Sequence, residues 1–198
     1  MSTWWLGQDW AIIKTNTKTT KNNTKEQKHK MKTTIKMALA AVALSFATFS
    51  QAEVASSSEH GFQIQLEQSF EGSAQQGYRH FINNVSEWWL DDHTWFGDAA
   101  NLSIDATAGG CFCEINGDLQ AMHMQVAYVD PRKTLRLVGG LGPLQSLGMN
   151  GTMTISFSDN KVSLNYIVGG YPTTDFTKLA PIVDGVLAQQ LASFSQTL

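Results

Sequence analysis

The chain has 198 residues, 42% hydrophobic and 16% charged, the composition of a globular protein with room for one good core. Beyond residue 52 it carries six basic against fifteen acidic residues, a net charge of −9. That balance leaves no basic patch for nucleic acid or an anionic membrane surface.

Residues 1–30 include "TNTKTTKNNTKEQKHK", Thr15 to Lys30, which is polar and without hydrophobic periodicity. Such a segment cannot bury enough apolar surface to fold, so 1–30 reads as a disordered extension or a misassigned start. "MKTTIKMALAAVALSFATFSQAE" then has Lys32 and Lys36, an apolar run from Met37 to Phe49, and small residues at Ser50 and Ala52. This is the layout of a signal peptide, residues 31–52, cleaved after Ala52. Its apolar run of about 13 residues is too short to span a bilayer. The expected product is an exported protein, periplasmic or secreted, without stable membrane insertion. Residues 53–60 read as a linker and 61–198 as one domain.

"FQIQLEQSF", Phe62 to Phe70, alternates apolar and polar residues and predicts a strand. Ser73 can cap a helix carrying Tyr78, Phe81, Ile82, Val85, Trp88 and Trp89 on one face. Short strands follow: "NLSID", "CFCEI", "AMHMQVAYVD", "TLRLVG", "GTMTISFSD" and "KVSLNYIVGG". Asn116-Gly117 and Asp159-Asn160 are hairpin signals. "GGLGPLQSLG", Gly139 to Gly148, reads as a mobile lid or a strand break. The last segment, Asp175 to Leu198, places Leu179, Ile182, Val183, Val186, Leu187, Leu191 and Phe194 at helical spacing, with Pro181 near its start. These elements predict an α+β domain whose curved antiparallel sheet wraps a long C-terminal helix. The inward candidates are Met122, Met124, Val126, Tyr128, Met153, Ile155, Phe157, Leu164 and Tyr166.

The segments "WWLDDHTWFGDAANLSID", "AGGCFCE", "HMQVAYVDP", "GGLGPLQ", "VGGY" and "PIVDGVLAQQL" together resemble the SRPBCC (START-like, helix-grip) superfamily. The likeness is to the branch grouped with polyketide cyclases and heat-shock-protein ATPase activators, and runs from about Phe62 to Gln196. It implies a helix-grip fold with an internal pocket for a small apolar molecule such as a lipid, sterol or polyketide. It does not settle function, since the fold hosts carriers, receptors, cyclases and co-chaperones.

The ligand-binding set is therefore Trp88, Trp89, His93, Trp95, Phe112, Glu114, Met122, Met124, Tyr128, Leu141, Tyr166 and Tyr171. Trp88, Trp89 and Trp95 are either an aromatic clamp on a ligand, with His93 as polar handle, or a hydrophobic plug. The hairpin has two readings. A two-residue turn at Asn116-Gly117 puts Cys111, Cys113 and Ile115 inside with Met122 and Met124. A three-residue turn pairs Cys111 with His123 and turns Phe112 and Glu114 inward beside Met122; the resemblance favours this register. Glu114, paired with the Tyr166 hydroxyl, then orients a ligand or serves as a general base. Cys111 and Cys113 suit a structural apolar pair, a strained disulfide, or, with His123, a weak soft-metal site. No nucleotide loop and no G-x-S-x-G element occurs, and no cofactor is expected. The leading function is an exported binder or carrier of a small hydrophobic ligand, with enzymatic activity left open. The alternatives are a cyclase- or hydratase-like enzyme using Glu114 with His93 or Tyr166, and a co-chaperone-like protein-binding domain.

Overall fold

The computed structural model describes residues 53–171 and 175–198; the expected signal peptide and the extension before it lie outside the described residues. Eight strands form one antiparallel sheet: β1 (Glu53–Ser58), β2 (Gly61–Ser69), β3 (Leu102–Ile104), β4 (Cys111–Asn116), β5 (Leu119–Asp130), β6 (Thr134–Val138), β7 (Met149–Ser158) and β8 (Lys161–Gly170). Their spatial order is β1-β2-β8-β7-β6-β5-β4-β3. Helix α1 (Ala74–Asn83), the single turn α2 (Val85–Trp88) and the long α3 (Phe176–Gln196) complete the domain. This is the α+β helix-grip arrangement, with α3 lying against β1 and β2. The segment expected as a linker, 53–60, instead adds β1 to the sheet edge, paired with β2 from Glu53↔Gln65 to Ser58↔Gly61.

Helix α1 starts where the sequence predicts. The Ser73 hydroxyl accepts from the Gln76 amide, and the Gln76 side chain accepts from the Ser73 amide at 2.9 Å, a reciprocal cap. Gly77 lets α1 approach Phe70, since a Cβ there would lie 2.5 Å from the ring. The predicted single helical face is broken at Asn84, which leaves the helical region at φ −123°. The break turns Trp88 inward, where its indole N–H donates to the Phe81 carbonyl at 3.2 Å and its ring stacks on Phe81 at 4.4 Å.

Asp175 caps α3 by accepting from the Thr177 amide. Pro181 falls in the second turn rather than the first, so the Thr177 carbonyl lacks its i+4 donor. The buried stripe of α3 is Phe176, Ala180, Asp184, Leu187, Gln190, Leu191 and Phe194. Ile182, expected on that stripe, is half-exposed. Phe194 is the centre of the core, with the rings of Phe70, Phe81, Trp88 and Phe157 5.6–6.2 Å from its own.

Neither expected register of the β4–β5 hairpin is observed. The turn is the pair Gly117-Asp118, with Asn116 opposite Leu119 and Cys113 opposite Met122. A bulge then makes His123 the extra residue, and Phe112 pairs with Met124. Phe112 and Glu114 face inward, as the three-residue turn implies, but Met122 faces out and His123 faces in. The two sequence clues conflicted because each assumed unbroken alternation. A second bulge between Val126 and Tyr128 turns Tyr128 outward, so it too leaves the inward set. No described helix is long and apolar enough to cross a membrane.

Candidate functional site

The residues joining α2 to β3, 89–101, cross the end of the sheet–helix sandwich as a strap, with short 3-10 turns at Asp91–His93 and Ala99–Asn101. Within the strap, Asp91 accepts from the Ala99 amide at 2.8 Å, and the Thr94 hydroxyl donates to the Asp91 carbonyl at 2.8 Å. Two fully buried polar side chains tie it down from opposite sides. Glu114, on β4, accepts from the Trp95 amide at 2.9 Å and from the Phe96 amide at 2.6 Å. Gln190, on α3, accepts from the Leu90 amide at 2.8 Å and presents its NH2 to His93 Nδ1. With its carbonyl taken by Leu90, Gln190 is the donor of that second bond, so Nδ1 is the acceptor and neutral His93 carries its proton on Nε2. Burial pushes the His93 imidazole below its ordinary value, against the pull of Asp92.

Glu114 has a third partner. His123 Nε2 lies 3.0 Å from its Oε2, and both side chains are buried. Burial lowers the His123 pKa more than the carboxylate raises it. His123 is thus a neutral donor that completes the shell of an internal carboxylate. The expected partnership of Glu114 with Tyr166 is not formed. The Tyr166 hydroxyl donates to the Gly139 carbonyl at 3.1 Å and accepts from the Leu141 amide at 3.0 Å. Burial raises this phenol to about 12. Tyr166 therefore clips the 139–148 loop to β8, while Gln145 donates to the Met122 and His123 carbonyls at 2.6 and 2.9 Å. That loop is a tethered strand break between β6 and β7.

Inside the strap the sandwich encloses a cavity of about 20 Å³, lined by Trp88, Trp89, Phe112, Leu141, Met153, Leu187 and Gln190 among others. That volume holds one water-sized body. The indole of Trp89 packs edge-on against Phe112 at 5.1 Å and donates to the His93 carbonyl at 3.0 Å. Of the expected ligand set, Trp88, Trp89, Phe112 and Leu141 come together around this space. Met124 and Tyr166 are buried in the core beyond it, and Glu114 and His93 serve the strap. Trp95 is 44% exposed, its ring edge-on to His123. Met122 at 54%, Tyr128 at 47% and Tyr171 at 80% exposure lie outside and are withdrawn from the set. Tyr128 instead packs under the Arg136 guanidinium, 5.5 Å from ring to Cζ.

The metal alternative also fails. Cys111 and Cys113 are joined as a disulfide with Cα atoms 5.4 Å apart, and His123 points to the opposite face. No metal-binding cluster occurs among the described residues. Gln190 was missed, although a glutamine one turn beyond Leu187, between Leu187 and Leu191 on an apolar stripe, was a visible signal.

No family model matches the chain, and no curated protein matches it. Among solved structures it is similar to the Aha1 dimer from Colwellia psychrerythraea (16% identity, 69% of this chain and 95% of that one, TM-score 0.46). It is also similar to a protein from Rhizobium leguminosarum (16% identity, 76% and 100%, TM-score 0.47). A third is CalU16 from Micromonospora echinospora (12% identity, 69% and 74%, TM-score 0.44).

Proposed function

We propose that the protein binds a small apolar molecule between sheet and α3, and that it works outside the cytoplasm after loss of residues 31–52. The observation that carries the binding reading is the lining of the internal cavity: aromatic and aliphatic side chains with one amide, Gln190, at its wall. Export rests on the Met31–Ala52 pattern, and the SRPBCC-like motifs supply the analogy for the pocket. The cavity is small as it stands, so a ligand must displace side chains. Trp89 and Leu141, both only partly buried, are the ones to move. An acid–base enzyme is less well supported, because both oxygens of Glu114 are spent on the strap and on His123.

The test is a panel of fatty acids, sterols and polycyclic aromatics read by tryptophan fluorescence. At least one should shift or quench emission in the wild type. Leu141→Trp, which fills the mouth from a half-buried position, should weaken that binding about tenfold or more while leaving the urea midpoint unchanged. No response across the panel, or unaltered affinity in a folded Leu141→Trp protein, leaves the tryptophans as a plug.

A further inference from the structure

The Cys111–Cys113 disulfide joins residues only two apart on one strand, so it links no two elements of the fold. Stabilisation by a crosslink grows with the loop it closes, and here the loop is three residues. Structural stapling therefore does not account for it. Its position does suggest a role. Both cysteines are half-buried on the outer face of β4, so the bond is reachable by a small or protein thiol. They flank Phe112, directly opposite the bulge that inserts His123 into β5. The bond draws the two Cα atoms to 5.4 Å, against about 6.6 Å across two residues of a regular strand. The bulge lengthens β5 at the same level, and together they curl the hairpin. The next residue after Cys113 is Glu114, whose carboxylate holds the strap by the Trp95 and Phe96 amides.

We propose that Cys111–Cys113 is a reversible thiol–disulfide exchange site, reacting with dithiols, and that its redox state sets how firmly the strap is held. One thiolate of an incoming dithiol attacks either sulfur, and the other cysteine sulfur leaves as thiolate. The second thiol of the reagent resolves the mixed disulfide. Two electrons and two protons pass to Cys111 and Cys113, and the reagent leaves as its own disulfide. Released, β4 extends by about an ångström beside Glu114, shifting the acceptor to which Trp95 and Phe96 are bonded. Register is kept, because slipping the bulge would expel the buried Met124 and Val126. The inference stands whether or not the cavity takes a ligand.

The experiment treats the folded protein with mixtures of reduced and oxidised dithiothreitol. Thiol alkylation and mass spectrometry follow the cysteines, and hydrogen exchange follows the backbone. Reduction should be reversible without unfolding, and the Trp95 and Phe96 amides should exchange at least about tenfold faster while α3 amides keep their protection. The Cys111→Ser/Cys113→Ser protein should exchange like the reduced wild type. Three results overturn the proposal: a disulfide that resists excess reductant in the folded protein, strap amides indifferent to reduction, or protection lost equally throughout, which makes the bond a general staple.

Discussion

Glu114 has each carboxylate oxygen engaged: Oε1 by the Phe96 amide, Oε2 by the Trp95 amide and by His123. A buried carboxylate so enclosed is an anchor, because every donor around it would otherwise be left unpaired. Glu114→Gln is nearly isosteric, yet its NH2 must face either a backbone N–H or the imidazole donor. Urea denaturation should show a loss of about 1–3 kcal/mol, the cost of stranding a buried donor; a midpoint equal to wild type would mean that the strap does not depend on this residue. The inward direction of Glu114 was favoured by the family resemblance, against the turn signal at Asn116-Gly117, and not by residue pattern alone. Its backbone partners were not legible, because they belong to a loop 18 and 19 residues earlier in the chain, and His123 reaches it only through a bulge.

At the scale of elements, strand β5 shows where pattern reading stops. Strict alternation puts Met122, Met124, Val126 and Tyr128 on one face, yet only Met124 and Val126 are buried. Each of two bulges adds one residue and reverses the faces beyond it. A bulge leaves no mark in composition, since it answers to the curvature the whole sheet must adopt around α3. The span of helix α3 was legible from its helical spacing, but its buried face was not: of the expected stripe only Leu187, Leu191 and Phe194 are buried. It carries one anomaly. Asp184 lies on the buried stripe, its Oδ1 has no hydrogen-bond partner among the described residues, and burial raises its pKa. A group with a raised folded pKa is tolerated when protonated and costs stability once ionised. Asp184→Asn should therefore be more stable than wild type at neutral pH by about 1 kcal/mol. That advantage should shrink as pH falls toward the ordinary carboxylate range. Equal stabilities at neutral pH would show that Asp184 has a partner in solution.

For the whole molecule, three imidazoles act in concert. Burial is the largest influence on His80, His93 and His123, and lowers each below its ordinary value despite the nearby Glu87, Asp92 and Glu114. Below about pH 6.5 the unfolded chain takes up protons that the folded chain still refuses, so the unfolded state gains. Stability should be fully present above that pH and fall as the solution is acidified below it, through the depressed folded values. For His123, the most buried, the slope is at most roughly 1.4 kcal/mol per pH unit, and it is less for the two rings nearer solvent. Urea midpoints across this window should decline, and His123→Gln should flatten the decline. A midpoint that rises on acidification in the Asp184→Asn protein, where that opposing carboxylate is removed, would contradict the neutral state assigned to these rings.

The amino-acid sequence by itself determined the class of the fold, the seven strands from β2 to β8, the cap at Ser73 and the extent of α3, though not which of its faces is buried. These follow from hydrophobic period and local capping chemistry, which neighbours in the chain suffice to specify. Tertiary structure decided the rest. It placed β1 on the sheet edge, inserted His123 by a bulge, and closed the interior to about 20 Å³. It also made Glu114 and Gln190 the two anchors of one strap, although they stand on a strand and a helix far apart in the chain. A buried polar group takes its role from whichever donors the fold delivers to it, and those donors are set by packing across the core rather than by residue type.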